Sequence, residues 1–167
     1  MFNNSPFNLG RIKNVKGTSS RPVSTDNRTV VLFCTDTGEF EAVERNSEVS
    51  KVWEKAKTLY RLWWRSQRNF KSGEIQVEQI LSDTEVAHLI TCVRVKGDND
   101  EPGTYFDLNS TKTALDKLGK HCSTNKTNAH INKCGTDTEW ETIMKLVEES
   151  LAKRGVNVFI YETAEAE

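Results

Sequence analysis

The stretch CGTDTEW, residues 134 to 140, sets a glycine, two hydroxyls and two acids where an apolar run gives way to an amphipathic helix pattern. Two chemistries suit it. Thr136-x-x-Glu139 fits a capping box, in which the threonine hydroxyl and the glutamate carboxylate satisfy free amides at a helix start. The same amides, with Gly135 permitting close approach, make an anion site formed by Cys134, Gly135 and Thr136. Asp137 stands beside them as a candidate catalytic carboxylate.

Three further patterns could do chemistry. Asp36-Thr37-Gly38 follows the apolar run VVLF, as in aspartic proteases, where two carboxylates share a proton. One triplet in a helix-rich chain does not build that site without a second copy. His88 and Cys92 lie four residues apart in a strand pattern, a spacing that puts both on one face and suggests a thiol–imidazole pair. No third, orienting group is visible, and a buried inert cysteine is the more frequent use of such a residue. The segment RLWWRSQRNFK, 61–71, interleaves arginines with aromatics in a way that can stack bases. Trp63 falls on the apolar stripe of its helix, which leaves Trp64 and Phe70 for the surface and makes a solvated helix end the better reading.

The elements that must position these residues are readable from periodicity. RIKNV (11–15) and TVVLFC (29–34) are strand patterns, the second a continuous β-branched and aromatic run of the kind buried on both faces. Val49, Val52, Trp53, Ala56, Leu59, Tyr60 and Trp63 predict one long amphipathic helix, capped by Asn46 or Ser47. GEIQVEQIL (73–81) and EVAHLITCVRV (85–95) read as strands, and GDNDEPG (97–103) as a loop. Thr111, Leu115, Leu118 and Cys122 mark a shorter helix, NAHIN (128–132) a strand, and Trp140, Ile143, Met144, Val147 and Leu151 a last helix closed by Gly155. NVFIYE (157–162) ends the order β-β-α-β-β-α-β-α-β, an α/β fold with helices covering a mixed sheet. In such sheets ligands sit beyond the carboxyl ends of the strands. Here those ends carry the turn after Val15, the TDTG stretch with Thr35 and Asp36, and the loop after Ile131.

The 167 residues suit one domain, expected over 11–162 with a flexible lead (1–10) and tail (163–167). A formal net charge of −1 gives no sign of a nucleic-acid partner. The four cysteines are widely spaced, without a CxxC pair that would suggest a metal site. No run reaches the roughly 20 apolar residues of a membrane helix, and the N-terminus lacks a signal pattern. These features predict a reduced, intracellular protein, cytoplasmic or nuclear, that needs no cofactor. They leave its oligomeric state open.

From Ser72 onward the chain resembles a macrodomain, and within that superfamily it is most similar to the terminal ADP-ribose protein glycohydrolases. The resemblance rests on KSGEIQV, AHLITC, ALDKLGKHC, CGTDTEW and VFIYE in that order, and more loosely on RIKNVKG and VVLFC upstream. It implies a macrodomain-like three-layer α/β/α sandwich with a cleft for ADP-ribose or a mono-ADP-ribosylated protein. It further implies a role in ligand binding for Thr18, Thr35, Asp36, Cys92 and the loop at Cys134, Gly135 and Thr136, with Asp137 as the assisting acid.

Three positions depart from the family pattern. Thr18 stands where an adenine-binding aspartate is expected, a loss of about 1.5–3 kcal/mol, or roughly ten- to hundredfold in affinity. Cys92 stands where the nucleophilic lysine is expected, and a thiol cannot form the imine that a lysine makes with an opened ribose. Neither Arg94 nor Lys96 takes that place without a register change. TDTGEFEA replaces the glycine-rich first loop. The expectation is therefore a protein that binds ADP-ribose or a related nucleotide with an eroded site. Two alternatives stand beside it: an ester-linked ADP-ribosyl hydrolase that uses Asp137 as general base, and a pseudoenzyme serving protein contacts, its pocket filled by side chains such as Phe40 or Phe106.

Overall fold

The central strand is β2 (Arg28–Thr35), whose residues from Thr29 to Thr35 are all buried. In a computed structural model, which describes residues 9–23, 26–96 and 102–163, it lies between two parallel neighbours. These are β4 (Thr84–Lys96) and β6 (Asn128–Asn132). Beyond β6 come β7 (Val158–Glu162) and then β1 (Ile12–Lys16), both parallel. On the other side β3 (Ile75–Leu81) pairs antiparallel with β4, and β5 (Pro102–Phe106) pairs antiparallel with its far half, from Cys92 to Lys96. The sheet is thus seven-stranded and mixed.

Alternation along β2 builds two cores. Val30, Leu32 and Cys34 face one side, where α1 (Asn46–Val52) and α2 (Glu54–Ser66) contribute Val49, Ala56, Tyr60 and Trp63. Val31 and Phe33 face the other, where α3 (Leu108–Asn125) and α4 (Asp137–Ser150) contribute Leu115, Leu118, Ile143 and Val147. Each helix presents one apolar stripe, so the sheet is covered on both faces and the molecule is the expected three-layer sandwich. Gly155, at φ +83°, follows the short 3-10 turn Ala152–Arg154 after α4 and lets the chain reverse into β7.

Four local readings need correction. The long first helix is two, because Trp53 leaves helical geometry at φ −126°, ψ 87°. Its apolar stripe survives the break, and Val52 is left 47% exposed. Neither Asn46 nor Ser47 caps it: the flanking residue is Arg45, and Asn46 donates instead to the carbonyls of Phe33 and Phe40. Phe70 is buried, edge-on to Trp63 with ring centroids 5.1 Å apart, so it is core. The residues after Glu101, read as loop, begin β5. The remainder of that connector, residues 97–101, lies outside the described residues, as do 1–8 of the lead and 164–167 of the tail.

Candidate functional site

The parallel strands all end at the same rim of the sheet, and the loops that follow them converge there. The β6–α4 loop is built around two needs. Cys134 is buried, and Gly135 turns the chain at φ +85°, where a side chain would be strained. A Cβ on Gly135 would also sit 3.1 Å from the Phe106 ring and 3.2 Å from Glu139 Oε1. The capping box then forms as predicted: Glu139 N donates to Thr136 Oγ1 at 3.1 Å, and Thr136 N to Glu139 Oε1 at 3.0 Å. Glu139 has a second duty, accepting a hydrogen bond from Phe106 N at 2.9 Å and so tying β5 to the helix start.

The amide of Gly135 is also taken up, by a carboxylate of the protein's own chain. Gly135 N donates to Glu44 Oε1 at 2.8 Å. Glu44 belongs to the segment between β2 and α1, which folds back over the rim through a 3-10 turn at Phe40–Ala42. The next residue, Arg45, takes a left-handed conformation at φ 70°. Its guanidinium runs between the ends of β1 and β7, donating to the carbonyls of Gly17 and Tyr161. Glu48 holds it from the other side, at 2.9 Å from Nε and 3.0 Å from Nη2. Burial pushes the Glu48 carboxyl up, but hydrogen bonds from Arg45 and Thr18 outweigh it and bring it below its ordinary value.

Cys92, Gly135, Thr104, Phe106, Val43 and Glu44 enclose a cavity of about 40 Å³. Cys92 reaches it because of a bulge. Cys34 pairs with Ile90 and Thr35 with Cys92, so Thr91 is an extra residue in β4. The bulge moves Cys92 to the α3/α4 face, while His88 stays on the α2 face among Phe40 and Tyr60. The predicted one-face pairing of His88 with Cys92 therefore does not exist. Instead His88 Nε2 bonds the Ala56 carbonyl at 2.7 Å, and burial lowers its pKa to about 4. Burial likewise raises the Cys92 thiol to about 12. It pushes Cys134 up as well, with Cys92 adding to the effect.

Of the residues singled out by sequence, Cys92, Cys134 and Gly135 come together, with Thr136 at the adjoining cap. Thr18 lies across the rim in the Arg45–Glu48 cluster, its hydroxyl 3.1 Å from Ser20 Oγ. Thr35 is buried and spent on α2, its carbonyl accepting from the Tyr60 hydroxyl at 2.6 Å. Asp36 and Asp137 are exposed, and among the described residues neither has a hydrogen-bond or ion-pair partner. Phe40 belongs to the core under α2, whereas Phe106 does line the cavity. The sequence reading missed Glu44, Arg45 and the second role of Glu139. GEFEAVER has no periodic signal to expose them, although its three glutamates in six residues beside a phosphate-type loop were the available cue.

Among solved structures this covered seven-stranded mixed sheet is matched by a macrodomain. A macrodomain protein from Streptomyces coelicolor superimposes with a TM-score of 0.80 at 22% identity, over 90% of this chain and 98% of that one. A protein from Bacteroides thetaiotaomicron gives 0.78 at 21% identity, covering 91% and 99%. A second protein from that organism, described as of unknown function, gives 0.78 at 22%, covering 92% and 98%. No family model and no curated protein matches the chain.

Proposed function

We propose that this chain is a macrodomain module that binds ADP-ribose, or a closely related nucleotide diphosphate, without hydrolysing it. The observation that carries the reading is the carboxylate on the Gly135 amide. An amide at the mouth of α4 that holds an anion from its own chain is a donor set for a phosphate.

Hydrolysis lacks its machinery. Cys92 is a buried, protonated thiol in place of an amine, and no imine with an opened ribose can form there. Asp137 is exposed and among the described residues has no hydrogen-bond or ion-pair partner to orient it, whereas a general base acts through a fixed geometry. One observation favours the interaction-module reading instead: about 40 Å³ is far below the roughly 300–1,000 Å³ of ordinary ligand pockets.

Calorimetric titration with ADP-ribose separates these. Micromolar binding, retained in Asp137→Ala, with no ADP-ribose released from a Glu- or Asp-linked modified protein, is the expected result. Release that disappears in Asp137→Ala would instead make it the hydrolase. No heat up to millimolar ligand refutes nucleotide binding and favours the interaction module.

A further inference from the structure

The segment between β2 and α1 lies over the rim, anchored on both sides of one exposed side chain, Glu44. Phe40 and Val43 are 1% and 4% exposed and fix the segment to the two cores. Asn46 holds the Phe40 carbonyl at 3.0 Å, and Arg45 is clamped by Gly17, Tyr161 and Glu48. Between these anchors Glu44 is exposed, and its only polar contact among the described residues is the Gly135 amide. Glu39 and Glu41, on the outer side of the same segment, sit on Arg94 (3.5 Å) and Lys57 (2.6 Å), away from the loop.

We infer that Glu44 is an internal anionic stand-in that competes with a ligand phosphate for Gly135, so that the site is self-occluded until a ligand displaces it. This rests on the nucleotide-binding reading above. A carboxylate accepts from an amide as a phosphate oxygen does, and both gain from the positive end of α4. Because the contact is exposed, it is worth little against water. A rotamer change of one side chain frees the amide while Val43 and Arg45 stay in place. The negative charge at the mouth also opposes a second anion until Glu44 swings away, which makes the device a threshold on affinity rather than a block.

The test compares the wild type, Glu44→Gln and Glu44→Ala by calorimetry with ADP-ribose, alongside hydrogen exchange at the Gly135 amide. Glu44→Ala is expected to bind about three- to fivefold more tightly than the wild type, with Glu44→Gln between them because it keeps an acceptor and loses the charge. In the free protein the Gly135 amide exchanges faster in Glu44→Ala, and added ADP-ribose slows it again. Equal affinity in all three proteins overturns the stand-in and leaves the binding reading standing. No binding by any of them, Glu44→Ala included, overturns both.

Discussion

If Cys92 cannot act as a nucleophile, its thiol must be inert in the folded protein, and the size of that effect follows from its surroundings. A free cysteine with pKa ~8.5 is about one-tenth thiolate near pH 7.5. At about 12, the thiolate fraction of Cys92 falls to roughly 3 in 100,000, some 3,000-fold lower. Exposure of 1% for Cys92 and 5% for Cys134 adds a steric barrier to the electrostatic one. Cys34 and Cys122 are buried too, so the same expectation covers all four. Iodoacetamide should therefore label none of them in the native protein over about an hour, and all of them once urea unfolds the chain. Rates should rise with urea along the unfolding curve, because labelling then waits on opening. The readout is intact mass followed by peptide mapping. A native Cys92 that alkylates within tenfold of free cysteine refutes the argument and restores a thiol nucleophile to the cleft.

Three other outcomes follow from packing and burial. His88 and His130 are held near pKa 4, both chiefly by burial and His130 also by the Arg28 charge, against ~6.5 in the unfolded chain. Their contribution is fully present above about pH 6.5 and lost as pH falls toward 4, about 2 kcal/mol each between pH 7 and 5. Urea midpoints at the two pH values read this, and unchanged midpoints refute it. Gly119→Ala should destabilise, although alanine is the better helix former by about 1 kcal/mol. Its Cβ would lie 2.0 Å from the Ser150 carbonyl oxygen, so α3 and α4 must part, for a net loss of about 2 kcal/mol in urea titration. Thr136→Ala removes the cap hydroxyl and should cost about 1 kcal/mol. Glu139→Ala should cost more, because it also strips the acceptor from Phe106 N; equal losses would show that the second bond contributes nothing.

The strands and helices that the sequence made legible are those whose burial is written locally, as a continuous apolar run or as a helical stripe. VVLF, NAHIN and the Trp140–Leu151 stripe each state their own geometry. What stayed hidden depends on partners distant in sequence. β5 is written in turn residues and becomes a strand only because β4 runs on past its pairing with β3, which stops at Leu89, and offers it the unpaired edge beyond. The Trp53 break is invisible because periodicity reports a buried face and not the backbone behind it. The extra residue at Thr91 decided most about the site, since a register shift of one moves a strand side chain to the opposite face. It separated His88 from Cys92 and delivered Cys92 to the cavity. Arg45 escaped notice for a related reason: its role is set by the carbonyls of Gly17 and Tyr161, which lie 28 and 116 residues away.

The capping box and the Glu44 carboxylate divide the helix mouth at CGTDTEW between them. The cap uses Thr136 N and Glu139 N reciprocally, and Glu44 uses Gly135 N. Trp140 N makes the first bond of the helix, to Thr136 O at 2.8 Å. Among the described residues the amides of Asp137 and Thr138 have no partner within the helix, as the first amides of an α-helix do not. Were a phosphate to replace Glu44 at Gly135 N, as proposed above, the cap bonds between Thr136 and Glu139 would stay in place. Asp137 and Glu139 strengthen the helix through its dipole while repelling that phosphate. That balance fits the proposed competition, in which a stronger anion must displace the modest contact of the Glu44 carboxylate.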